Sequence, residues 1–114
     1  MSFASALRFR GRPDARQGER TRVLLQASLL ASGRPMRVHL LDLSPHGALS
    51  HAPEPPEPGE IVWLVCKGCE ILSRTAWVRG NRFGLAFDTP VPAAKLKPLL
   101  WEGRRALEAD PALA

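Results

Sequence analysis

The distribution of apolar and polar residues along the chain predicts a protein built mainly of β-strands. From Val23 onward, two apolar runs flank the turn-forming sequence Ser32-Gly33-Arg34-Pro35, an arrangement that predicts a β-hairpin. Further segments rich in Val, Ile, Trp and Phe are separated by short turns that contain glycine or proline. Five predicted strands lie near residues 21–31, 35–42, 60–66, 69–79 and 82–88, and a further short strand starts with the segment GALSH at residue 47.

After Pro90 the apolar residues recur at the spacing of an α-helix. The residues that would share one helical face are Leu96, Leu99, Leu100, Gly103 and Leu107. We expect the regular part of this helix to begin near Pro98, because proline disrupts the hydrogen bonding of a helix interior. Six strands with short connections and one C-terminal helix indicate an all-β fold, a small antiparallel barrel or sandwich against which the helix packs.

Length and composition fit one small domain. The chain has 114 residues, of which 45% are hydrophobic, enough for a modest core. We expect a flexible basic arm at residues 1–19, a barrel at 20–90, and a helix and tail at 91–114. No run of 18 apolar residues is present, and the N-terminal arginines follow the apolar part, opposite to a secretory signal. These features predict a cytoplasmic protein without a membrane span.

Positive charge is concentrated near the N-terminus. The formal net charge is +5 at pH 7, and six arginines against Asp14 and Glu19 leave +4 within the first 22 residues. Guanidinium groups bind phosphate through paired hydrogen bonds and stack on bases, so this segment indicates an anionic partner. A solvated basic arm would have the same composition. The six arginines are Arg8, Arg10, Arg12, Arg16, Arg20 and Arg22.

Two short motifs contain residues that could form a specific anion site. The segment RQGER places Arg16 and Arg20 four residues apart, just before the first predicted strand. The segment DLSPHG contains Asp42, Ser44 and Gly47 at the end of the second strand. Glycine would let the backbone approach a ligand closely. Asp and Ser also favour ordinary turns, where they bond local backbone groups.

The alternation around the second motif predicts the direction of its side chains. Asp42 and Ser44 alternate with Leu41 and Leu43. In a regular strand the two leucines would face the core, and the two polar side chains would point outward together.

The order and spacing of the RxxxR and DxSxxG motifs resemble the signature of the PilZ domain family. The segments EPGEIVWLV and AWVRGNRFGLAF are similar to later parts of the same pattern, and the similarity covers roughly residues 14–90. The resemblance implies a six-stranded antiparallel β-barrel with a helix near the C-terminus, in agreement with the strand pattern. It also implies that the ligand is cyclic di-GMP, a bacterial second messenger.

The resemblance further implies roles for individual residues. Arg16 and Arg20 would hold the phosphates of cyclic di-GMP and stack on or bond to its guanines. Asp42, Ser44 and Gly47 would contact a guanine edge and line the barrel surface beneath it. Since the arginines belong to a mobile segment, ligand binding would order the arm and change the surface that a protein partner contacts. Auxiliary candidates for the site are Arg22, Arg12 and His46.

No residue pattern indicates an enzyme, a metal site or a cofactor. In the segment CKGC, a hairpin turn at Lys67-Gly68 would place the sulfurs of Cys66 and Cys69 across from each other, as free thiols rather than metal ligands or a redox pair. The histidines lack metal-ligand spacing, and no catalytic triad or phosphate-binding glycine loop is present.

Two other functions are compatible with parts of the pattern. A PilZ-fold adaptor could act through protein contacts without ligand, although this chain keeps all five motif residues. A nucleic-acid-binding barrel could use the basic arm, but the aromatic residues of that arm are Phe3 and Phe9 alone. The sequence therefore favours a cyclic di-GMP receptor that acts on an unidentified protein effector.

Overall fold

The computed structural model of the chain describes residues 20–110. The strands are β1 (Thr21–Ala31), β2 (Arg34–Ser44), β3 (Gly47–His51), β4 (Ile61–Cys66), β5 (Cys69–Arg79) and β6 (Arg82–Phe87), and they precede a helix, α1 (Ala93–Ala109). They form a closed barrel in the order β1-β2-β3-β6-β5-β4, with antiparallel pairing throughout. The prediction of a six-stranded antiparallel barrel with a C-terminal helix is confirmed.

The turns explain why the strands end where they do. β1 and β2 are joined by Ser32-Gly33, and β4 and β5 by Lys67-Gly68. All four residues have positive φ angles, between 51° and 83°. Two-residue turns with this backbone match the right-handed twist of paired strands, which favours tight hairpins at both places.

The core fills the interior of the barrel. Every second residue of β1 from Val23 to Ala31 is buried, as the alternation of a half-buried strand requires. The other strands supply the opposite walls. The largest fully buried side chains are Phe83, Leu29, Leu40, Leu43, Leu64 and Leu85.

Helix α1 begins five residues earlier than its sequence pattern predicts. It starts at Ala93, so Pro98 lies inside the helix and the prediction of a start near Pro98 is wrong. Both Pro98 and Ala94, whose carbonyl would accept the missing hydrogen bond, are exposed, so water can replace the proline N–H group. The predicted apolar face is present, and Leu96, Leu99 and Gly103 are buried.

Helix α1 packs closely on β1. A Cβ atom added to Gly103 would lie 2.5 Å from Cβ of Val23 and 3.1 Å from Cγ of Leu25. The missing side chain therefore lets the helix approach the strand at this position. Among residues 20–110, no helix combines the length and apolar character needed to cross a membrane.

Candidate functional site

Asp42 lies on the outer surface of the barrel, in the strand between β1 and β3. Its partner across β1 is Arg22, and its partner across β3 is Leu49. The pairing with β3 skips a residue between Leu40 and Asp42, which makes Leu41 a β-bulge. Leu40 and Leu43 consequently both face the core, and Leu41 is half-buried. The prediction that Leu41 and Leu43 both face the core is therefore wrong for Leu41.

Both carboxylate oxygens of Asp42 accept hydrogen bonds. Oδ1 accepts from the backbone N–H of Leu49 at 3.2 Å, and Oδ2 accepts from Nη2 of Arg20 at 3.0 Å. The Asp42 side chain is 16% exposed, whereas that of Arg20 is 50% exposed. The backbone bond thus orients a largely covered carboxylate, and the carboxylate in turn holds a half-exposed guanidinium at the surface.

The Arg20–Asp42 contact brings together one residue from each sequence motif. Arg20 directly precedes β1, and the antiparallel pairing of β1 with β2 places it beside Asp42, 22 residues away along the chain. The auxiliary candidate Arg22 lies opposite Asp42, and it lines a surface groove together with Arg20. Arg16 and Arg12 lie outside the described residues, so their roles stay predictions.

Ser44 forms the turn between β2 and β3. Its hydroxyl oxygen accepts from the backbone N–H groups of His46 and Gly47 at 3.1 and 3.2 Å, and its O–H donates to the Gly47 carbonyl at 3.4 Å. The residue is 5% exposed, so the expectation that it points outward beside Asp42 is wrong. The hydroxyl satisfies the backbone of a two-residue turn instead.

Gly47 and His46 belong to the same turn. Gly47 is buried and begins β3, where it pairs with Ser44 and with Ala86. Its position in extended backbone differs from the positive φ angles of the glycines in the other turns. The carbonyl of the half-buried His46 accepts from the N–H of Phe87, and that of Pro45 accepts from Val91. These bonds anchor the turn to the end of β6 and to the segment that leads into α1.

Trp77 is a surface residue that the motif pattern does not single out. The register places Arg22, Asp42, Leu49, Gly84 and Trp77 in one row across five adjacent strands. Trp77 is 40% exposed, and a Cβ atom on residue 84 would collide with its indole ring. Glycine at this position therefore lets an aromatic ring lie over the barrel wall, in the same row as the Asp42 carboxylate.

The two cysteines flank the turn of the β4–β5 hairpin. Cys66 and Cys69 are directly paired across the strands, as predicted, and both are free thiols. Burial raises the pKa of the Cys66 thiol, against an opposing effect of Lys67, so the reactive thiolate is disfavoured. Within residues 20–110, no group of three or more His, Cys, Asp or Glu side chains could hold a metal ion.

Sequence comparison agrees with this architecture. A search of curated proteins finds no match to the chain. The model of the PilZ domain family matches residues 14–100, which include both motifs, the whole barrel and the first half of α1. The family match thus covers most of the chain, and the resemblance indicated by the two motifs is confirmed. The chain belongs to the PilZ domain family.

Proposed function

We propose that this protein is a receptor for cyclic di-GMP, which it binds on the outer surface of the barrel near Arg20 and Asp42. PilZ domains are binding domains, and the family includes receptors for this second messenger. The observation that carries the proposal is the 3.0 Å contact between the two motif residues. It joins the RxxxR and DxSxxG motifs into one surface site, as a shared ligand would require.

The chemistry of the two side chains suits a ligand with two phosphates and two guanines. The half-exposed guanidinium of Arg20 can bond phosphate or the O6/N7 edge of guanine and still keep its contact to Asp42. A carboxylate can accept from the N1–H and exocyclic amino groups of guanine through its remaining lone pairs. Asp42 therefore has two roles in the proposal, as a guanine acceptor and as the residue that positions Arg20.

The remaining motif residues divide into two groups. Arg16 would supply a second guanidinium from the N-terminal segment, which Arg20 joins to β1. Ser44 and Gly47 would shape the barrel surface beneath the ligand, through the turn that the Ser44 hydroxyl stabilises. In this proposal the ligand orders the N-terminal arm against the barrel, and the ordered arm is what a protein partner recognises.

Isothermal titration of the full chain with cyclic di-GMP tests the proposal. We expect saturable binding, and we expect affinity to fall by about tenfold or more in Arg16→Ala, Arg20→Ala and Asp42→Ala, because each loses a charge-assisted hydrogen bond. Arg37→Ala is the matched control, since Arg37 is an exposed residue of β2 near the opposite end of the β1–β2 hairpin. No binding at tens of micromolar protein, or unchanged affinity in the three site variants, would rule the receptor function out.

A ligand-independent adaptor is the second candidate, and a different surface favours it. Leu30 and Trp63 are directly paired across β1 and β4, and they are 41% and 43% exposed. Ile61, on the same strand as Trp63, is 49% exposed. Exposed apolar clusters of this kind mark protein contacts. A partner recovered equally with and without cyclic di-GMP, and lost in Trp63→Ser, would favour the adaptor over the receptor.

A further inference from the structure

A surface groove with a volume of about 340 Å³ lies between the start of β1 and the C-terminal half of α1. The residues that line the groove are Arg20, Thr21, Arg22, Arg104, Leu107 and Glu108. Half of these residues are arginines. The lining comes from the start of β1 and from α1, which are far apart in the sequence. We call this feature the α1–β1 groove.

The position of Arg104 follows from the close packing of α1 on β1. Gly103 lies against Val23 and Leu25, and the space for a side chain there is taken by the strand. The next residue of the helix, Arg104, therefore emerges beside the first residues of β1. A larger side chain at position 103 would hold the helix away from the strand and separate the two sides of the groove.

The electrostatics of the groove favour an anion. Arg20, Arg22 and Arg104 carry three positive charges, against the carboxylates of Glu108 and of Asp42, the residue that Arg20 contacts. Arg104 and Glu108 form an ion pair at 3.8 Å, with side chains that are 61% and 69% exposed. A pair so long and so exposed contributes little to stability, so a phosphate group can replace the carboxylate at Arg104.

Arg105, the residue next to Arg104, lies on a different face of the helix and does not take part in the groove. Arg105 has the same chemistry, but its guanidinium lies over the ring of Trp101, 5.9 Å from the centroid, and it does not line the groove. The two adjacent arginines of α1 therefore differ in what they contact, and they provide a matched pair of positions.

We propose that the α1–β1 groove is a phosphate-binding site in which Arg104 of α1 acts together with Arg20. The identity of the bound phosphate rests on the proposed function, in which it is one of the two phosphates of cyclic di-GMP. It adds a ligand contact from outside both sequence motifs. The ligand then bridges β1 and α1, so that binding restrains the C-terminal half of the helix as well as the segment before β1.

Titration of Arg104→Ala and Arg105→Ala against wild type, in the full chain, tests the proposal. We expect Arg104→Ala to weaken binding of cyclic di-GMP by about tenfold, the loss of one charge-assisted contact, and Arg105→Ala to bind within about twofold of wild type. Hydrogen exchange at 103–109 should slow on binding in wild type but not in Arg104→Ala. Wild-type affinity in Arg104→Ala, or equal losses in both variants, would overturn the groove assignment while leaving the receptor function intact.

A second experiment tests phosphate binding in the groove independently of cyclic di-GMP. In NMR titrations with inorganic phosphate and with pyrophosphate, we expect shifts at residues 20–22 and 104–108 that Arg104→Ala removes. If wild type fails to bind cyclic di-GMP yet shows these shifts, the receptor function is wrong and the phosphate site stands. If neither phosphate nor the dinucleotide perturbs these residues, the groove proposal is wrong.

Discussion

Arg20 and Asp42 form an ion pair at 3.0 Å although they are 22 residues apart, and the same carboxylate also accepts from the backbone N–H of Leu49. Asp42 on β2 thus contacts both the residue that precedes β1 and the neighbouring strand β3 through one side chain. The pair is asymmetric, because the carboxylate is largely covered and the guanidinium is half exposed. Such an arrangement presents a positioned cation to solvent.

The Arg20–Asp42 pair should matter more for ligand binding than for folding. The Arg20 guanidinium is half exposed, so solvent screens the pair and water can replace the guanidinium at Asp42; Arg20→Ala should therefore lower the free energy of unfolding by only about 1 kcal/mol. The same variant should lose about tenfold or more in affinity for cyclic di-GMP. Urea denaturation and titration of one preparation give both values. A large loss of stability with unchanged affinity would show that the pair is structural.

Ser44→Ala should destabilise the fold. The hydroxyl accepts from two backbone N–H groups in a buried turn, and alanine would leave them without that acceptor. We expect the free energy of unfolding to fall by about 1–3 kcal/mol. Urea denaturation measures the change. Ser28→Ala is the control, since Ser28 is an exposed residue of β1 and should change stability by less than about 0.5 kcal/mol. Equal stabilities of the two variants would contradict the role assigned to Ser44.

Gly103→Ala should be destabilising even though alanine is the better helix former. Alanine in a helix interior gains about 1 kcal/mol over glycine. At this position its Cβ would lie 2.5 Å from Cβ of Val23, an atom fixed to the strand backbone, so the helix must move. Overpacking of this kind costs about 1–3 kcal/mol, and we expect a net loss.

Thermal denaturation followed by circular dichroism measures the effect of Gly103→Ala. Glu102→Ala, at the exposed preceding position, is the control and should leave the melting temperature nearly unchanged. A melting temperature for Gly103→Ala above that of wild type would mean that helix propensity outweighs the contact with β1. The variant should also weaken phosphate binding, because it displaces Arg104.

The two thiols should differ in reactivity. Burial raises the pKa of Cys66, and the residue is 1% exposed, whereas Cys69 is half-buried. A disulfide reagent should therefore modify Cys69 quickly and Cys66 slowly in the native protein, and both quickly in denaturant. The fast native phase should survive in Cys66→Ala and disappear in Cys69→Ala. A fast phase that follows Cys66 would contradict the burial argument.

The raised pKa of Cys66 also has a consequence for stability. In the folded state the thiol holds its proton to higher pH than in the unfolded state, so unfolding releases protons in alkaline solution. The free energy of unfolding should therefore fall as pH rises above the ordinary pKa of a thiol. Urea denaturation should show this decline in wild type and a smaller decline in Cys66→Ala; equal declines would assign the effect to other groups.

The strands were predictable because their signals are local. β1 and β5 begin and end at the predicted residues, β3 begins at its predicted residue, and the other three differ by at most two residues at an end. Each boundary depends on a turn that a few neighbouring residues specify, such as Lys67-Gly68 with its two positive φ angles. The presence of helix α1 was predictable, but its first residue was not. Proline inside a helix costs a backbone hydrogen bond, and at the exposed Pro98 water can supply that bond instead.

The sequence motifs name the residues of the candidate site, but the geometry of these residues was not predictable from the motifs. The two motifs identify Arg20, Asp42 and Ser44, yet Ser44 turns into the hairpin while Asp42 stays at the surface. The difference arises from the local bonding of the turn, which draws the Ser44 hydroxyl toward the backbone of His46 and Gly47. Another bulge, between Thr75 and Trp77, breaks the alternation of β5, so that Thr75 is buried and Trp77 is exposed.

The sequence by itself determined the family, the number of strands, the turns that join them and the residues of the two motifs, because short-range periodicity and backbone preferences encode these features. Only the tertiary structure decided which side chains meet. The pairing of Arg20 with Asp42, the row that ends at Trp77, and the approach of Arg104 to β1 each depend on strand register or helix packing. Register and packing are set by contacts between distant segments, and one bulge or one absent side chain is enough to change them.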